Sequence, residues 1–157
     1  MKKASLSMDS IFVMTLFVVF AAMVLLVLGT GAGVYKNTVK TMDSRYETRT
    51  ALAYITEKSR HYDAADISTD SFGTVPALRL KDTFSGAEYD TYIYYYKGYL
   101  REVFARSDVS VQPGAGKKIL AVKGLTFTQD KDGMITVGCK ASDGTVSSVM
   151  IYAGGNS

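Results

Sequence analysis

The chain has one cysteine and one histidine among its 157 residues. With Cys139 alone, no intramolecular disulfide can form, and neither a cysteine-rich metal site nor a lipid-modified cysteine near the N-terminus is available. With His61 alone, any site needing two imidazoles is excluded. Long runs of one charge are missing too. The net charge is +3, yet only Lys2-Lys3 and Lys117-Lys118 are adjacent basic pairs, and acids lie close to most other cations. Such a mixed surface makes no phosphate-binding stripe, so no nucleic-acid partner is expected.

Chemical motifs fail one after another. Gly114-Ala115-Gly116-Lys117 resembles the tail of a phosphate loop, but Val111 stands where glycine is needed and Lys118 where serine or threonine is needed. Gly29-Thr30-Gly31 follows no strand, which rules out a dinucleotide fingerprint. Asp130-Lys131-Asp132-Gly133, aligned as a calcium loop on its glycine, would put Thr128 first and Cys139 twelfth, and neither binds calcium usefully. No serine lies in G-x-S-x-G, and no carboxylate pair can be assigned. No catalytic, cofactor-binding or metal residue is expected, and the chain is not expected to be an enzyme.

What is present is apolar and periodic. Residues 11–28, IFVMTLFVVFAAMVLLVL, carry no charge and only Thr15 as a polar side chain. As a helix this run spans roughly 27 Å, close to the ~30 Å hydrocarbon core of a bilayer. Its length favours an uncleaved anchor over the shorter apolar region of a secretory signal. Lys2, Lys3 and the amino group favour an N-terminus in the cytoplasm, though Lys36, Lys40 and Arg45 nearly balance the count. A short leader and a long following domain fit a β domain outside the cytoplasm. Gly29 and Gly33 form a G-x-x-x-G, read either as a loosely ordered exit from the bilayer or as a helix-packing point.

Residues 35–62 hold no glycine or proline and continue in helical spacing. One stripe is Tyr35, Val39, Met42, Tyr46 and Ala53, and a second is Leu52, Ile55, Ser59 and Tyr62. The pattern then changes period. Residues 68–73 read as turn-forming, and 77–81 as a short strand. Residues 88–106 read as a tyrosine-rich hairpin about Lys97-Gly98, in which a type I′ turn and a type I turn with a glycine bulge both remain open. A loop at 113–116 precedes one strand over 119–128, kinked at Gly124, and a final hairpin pairs 134–140 with 145–152. Ile135, Val137 and Cys139 share one face of it, making Cys139 a small buried hydrophobe. The tyrosines Tyr92, Tyr94, Tyr95, Tyr96 and Tyr99 read as cross-strand packing rather than a base- or sugar-stacking surface. His61 reads as a carbonyl cap or a solvent-facing side chain.

The expected fold class is therefore α+β: a long N-terminal helix, half membrane-spanning and half amphipathic, packed on an antiparallel sheet of about six strands. The organisation reads as a cytoplasmic leader over 1–10, a transmembrane helix over 11–33, an amphipathic extension over 34–64 and a β domain over 65–157.

RTALAYITEKSRHYDAAD, residues 49–66, resembles the helix-to-sheet junction of minor pseudopilins. YIYYYKGYLREVFAR, residues 92–106, resembles their first hairpin, and LTFTQDKDGMITV is similar to a later one. Together with the leader and the extended helix, these stretches look like a type IV pilin. More narrowly, the chain resembles an uncharacterised family of single-span proteins from Firmicutes. The resemblance implies a structural subunit of a type IV pilus-related filament or secretion system, whose partners are the membrane, other pilin-like subunits and assembly-platform proteins. It implies leader processing after Ala4, leaving Ser5 first and Asp9 as the fifth mature residue. Ala4 and Ser5 depart from the usual glycine and aromatic or methionine, and Asp9 replaces glutamate just ahead of the apolar run. The alternative is a signal-anchored extracytoplasmic domain that binds a partner through its tyrosine-rich sheet without polymerising.

Overall fold

The computed structural model describes residues 8–154, without the side chains of 31–34, 36, 37 and 39–41. Two compact units, Met1–Thr41 and Met42–Ser157, divide the chain. Helix α1 (Met8–Ser59) contributes to both.

In the first unit, Met8–Thr30 is long and apolar enough to cross a membrane, and none of it is buried. Thr15 is satisfied within the helix, its hydroxyl donating to the Ile11 carbonyl at 2.9 Å. Thr30 does the same toward Leu26 and Val27 at 3.0 and 3.1 Å. Such bonds remove the cost of a hydroxyl in an apolar setting.

In the second unit the end of α1 lies against two antiparallel sheets. Its buried stripe is Ser44, Thr48, Ala51, Leu52, Ile55 and Ser59, at helical spacing. The stripe expected through Met42 and Tyr46 faces solvent instead, those residues being 67 % and 71 % exposed. The small side chains of the other stripe let the helix approach closely, and its hydroxyls bond back to the helix. Thr48 donates to the Ser44 carbonyl at 3.2 Å and Ser59 to that of Ile55 at 2.8 Å.

The first sheet has the order β1 (Ile67–Phe72), β2 (Val75–Phe84), β3 (Ala87–Tyr96), β4 (Tyr99–Arg106) and β5 (Lys117–Ala121). The second has β6 (Gly124–Gln129), β7 (Met134–Lys140) and β8 (Val146–Tyr152). The class is α+β as expected, with eight strands among the described residues in place of about six. Residues 67–72 pair as an edge strand rather than a turn, with Ile67 opposite Leu80 and Phe72 opposite Val75. The strand expected over 119–128 is two strands, because the chain changes sheets through Val122 and Lys123. The tyrosine hairpin pairs Tyr96 with Tyr99 about Lys97-Gly98, whose φ values of 49° and 84° are both positive. That selects the type I′ turn despite a lysine in the left-handed region.

The main core joins Ala51, Leu52 and Ile55 of α1 to Leu78, Leu80, Ile93 and Leu100 of one sheet and Ile135, Val137, Cys139 and Ile151 of the other.

Candidate functional surfaces

Two surfaces of the described chain invite a functional reading: the apolar helix and the tyrosine-rich face of the five-stranded sheet. On the helix, Asp9 lies in the first turn of α1 and is exposed. Phe12, Phe17 and Leu25 are each close to 70 % exposed, an apolar display that water alone would not tolerate along a whole helix. A Cβ added at Gly29 would meet nothing within 4 Å, so that glycine faces open space. Gly33 lies further along α1. Ala4 and Ser5 lie outside the described residues. The stretch is compatible with a single-pass anchor or a signal sequence.

Strand alternation sorts the tyrosines onto both faces of the sheet. Tyr95 packs toward the helix side with Ile93 and Leu100. Tyr94 is fully buried on the opposite face with Phe72 and Ala77, flanked by half-buried Tyr92 and Tyr96. Residues 107–116 fold back across this outer face. The Tyr94 hydroxyl donates to the Pro113 carbonyl at 2.8 Å, and Arg101 Nη1 donates to the carbonyls of Gly114 and Gly116 at 2.8 and 2.9 Å. Burial pushes the Tyr94 phenol pKa upward, although nearby Arg101 acts the other way. Phe72 stacks on Tyr92 with centroids 4.8 Å apart. The loop and these ring contacts make the cluster a second small core.

Beside it, Arg79 grips Asp90 through Nε at 2.8 Å and Nη2 at 2.7 Å. Burial alone would raise the Asp90 pKa, but the Arg79 and Ser107 hydrogen bonds outweigh it and hold it below the ordinary carboxylate value. A cavity of about 200 Å³ opens here between Phe72, Tyr92, Arg106 and Val111. The carboxylate at its wall is already taken by Arg79.

On the helix side, Tyr54 donates its hydroxyl to Glu102, and Lys58 Nζ lies 2.8 Å from the same carboxylate. Burial, then the Glu102 bond, pushes the Tyr54 phenol pKa upward. Glu47 accepts from Ser142 at 2.8 Å, tying α1 to the second sheet. None of these pairs was foreseeable from spacing, because each needs the strand register first. His61 is exposed, with Nε2 3.8 Å from Glu57 Oε1 one turn back. Cys139 is fully buried, and desolvation followed by nearby Glu47 pushes its pKa up to about 11, leaving an unreactive thiol. Asp130 turns inward on its own loop, accepting from the backbone of Asp132 and Met134 at 3.0 and 2.8 Å. Among the described residues, no three His, Cys, Asp or Glu side chains gather where they could hold a metal.

Residues 46–142, more than half of the chain, match the family described as a domain of unknown function, DUF4860. The chain belongs to this family. The match begins at Tyr46 within α1 and ends at Ser142, taking in β1 to β7. The DUF4860 segment therefore holds most of the helix-on-sheet core, with Ile151 and Ala153 beyond its end, and the apolar stretch Met8–Thr30 lies before it. No curated protein and no solved structure matches the chain.

Proposed function

We propose that this DUF4860 protein is a membrane-anchored, pilin-like structural subunit, a pseudopilin or minor pilin of a type IV pilus-related filament or secretion system. Its N-terminus lies in the cytoplasm, its β domain outside, and it performs no catalysis. The observation that carries this reading is α1 itself. One helix begins as an exposed apolar stretch wide enough for a bilayer and ends as the buried cover of two antiparallel sheets. In such a subunit the apolar stretch exchanges lipid for neighbouring helices, with Gly29 and Gly33 allowing close approach and Asp9 pairing at the bilayer edge. Assembly-platform proteins and other pilin-like subunits are the partners. The rival, a lone anchored domain that binds through its tyrosines, is weakened because Tyr94 is buried and residues 107–116 lie across that face.

Cross-linking through single cysteines placed along residues 11–34, in a Cys139→Ser background, tests the proposal in cells. A ladder or hetero-oligomer is expected, and Gly29→Leu with Gly33→Leu should abolish it without lowering membrane levels. Asp9→Ala should give a milder form of the same loss. Monomer alone in the parent and all variants would overturn the subunit reading. Protease applied to the outer membrane surface should digest the β domain, and protection there would overturn the orientation. The intact mass of the native protein reads whether the leader is cut after Ala4.

A further inference from the structure

β8 and β6 are the two edges of the three-stranded sheet, and among the described residues β8 is paired only to β7. The Ala141 amide donates to the Thr145 carbonyl and the Ala153 amide to that of Gly133. These two bonds fix the phase of the ladder between them. Ser147, Val149 and Ile151 aim their N–H and C=O at β7, and the alternate residues Val146, Ser148, Met150 and Tyr152 aim theirs away from the sheet. The same four side chains stand on the outer face, where Val146, Met150 and Tyr152 are 63 %, 67 % and 57 % exposed. Edge strands ordinarily carry charge, proline or a bulge against unwanted pairing. β8, VSSVMIY, has neither charge nor proline, and its pairing to β7 runs without a register shift. The edges of the other sheet differ: β1 carries Asp70, and β5 carries Lys117 and Lys118.

We propose that β8 pairs antiparallel with β8 of a second copy of this chain, about a two-fold axis through Val149. Three features select a second copy as occupant. The strand is neutral, so two copies meet without like-charge repulsion. Its outward residues are all at even numbers, so full overlap sets outward residues opposite outward residues. Every N–H and C=O freed at one edge then finds its complement on the other. Full overlap also places Val146 against the copy's Tyr152 and Ser148 against its Met150, a β-branched–aromatic pair and a hydroxyl–thioether pair. Seven residues bury less area than a stable soluble dimer needs. The pairing therefore rests on the membrane anchoring proposed above, which confines copies to one plane and raises their effective concentration. The product is one sheet of six strands running through two molecules.

The test uses the full-length anchored chain in native membranes, in the Cys139→Ser background, with single cysteines at positions 146, 148, 149, 150 and 152. Under mild oxidation, the homodimer should peak at Val149→Cys, the position that faces itself across the axis, and fall on both sides. Adding Met150→Lys should abolish that cross-link, since two cations would then flank the axis. Circular dichroism of the Met150→Lys chain should stay unchanged because that side chain is exposed. No homodimer at any β8 position, or a conjugate to a protein of different mass, would overturn the inference. Cross-links along residues 11–34 without any through β8 would leave the subunit reading standing and remove this one. The converse pattern would remove the subunit reading and keep the pair.

Discussion

Single side chains carry the clearest consequences of the packing. Val137 is fully buried on the core face of the second sheet, and its neighbour Thr136 is exposed. Val137→Asp should cost about 3–5 kcal/mol, the range for an uncompensated buried charge. Thr136→Asp should stay within about 0.5 kcal/mol, and urea midpoints of the two variants check the contrast. Asp90 gives a pH dependence. Its pKa is lower in the fold than in the open chain, so its contribution is present at neutral pH and fades as pH falls through the folded value, below the usual ~3.9. Asp90→Asn should lower stability at pH 7 and flatten the acid limb of a midpoint-against-pH curve below about pH 4. The alternation that buries Ile135, Val137 and Cys139 was legible in sequence, since period two needs only one strand. The phase of the tyrosines was not. Lys97 is a poor left-handed residue, so composition left the turn type open, and the turn type decides which tyrosines turn inward.

At the scale of elements, sequence located the helix and both later hairpins but missed β1 and merged β5 with β6. ISTDSF is polar because its strand lies at an edge, and polarity there reads as turn. Gly124 signalled a bend, and the bend turned out to be a transfer between sheets. The loop over 107–116 had no periodic signal at all, yet it covers the second core. Its tightest point is Gly116, where a Cβ would sit 2.2 Å from the Tyr94 hydroxyl and 3.0 Å from the Glu102 carbonyl oxygen. Gly116→Ala should therefore destabilise the domain by about 1–3 kcal/mol. Part of that cost should vanish in a Tyr94→Phe background, where the nearest clashing atom is gone. A thermal-unfolding double-mutant cycle reads the coupling. The proposed site residues of the leader, Ala4 and Ser5, were readable only by resemblance, and they lie outside the described residues.

The whole molecule divides its apolar surface unequally. The long exposed run of large hydrophobic side chains falls within Met8–Thr30, and the second unit closes its own core. A fragment over Met42–Ser157 should stay in solution without detergent and unfold in one transition, whereas the full chain should need detergent or membrane. Sedimentation and a urea titration of both species check this.

The closing of that core also sets a clock. The helix face at Ala51, Leu52 and Ile55 is finished by Ile151 and Ala153, from the last strand and the residue just beyond it. At ~5–20 residues per second of synthesis, Ile55 waits roughly 5–20 s for Ile151. Each hairpin of the two meanders can form as its second strand appears, because neighbours in sequence are neighbours in the sheet. The helix cannot be sealed until the last strand arrives. Through that interval its greasy stripe stands uncovered and has to be kept from water by something other than its own sheets.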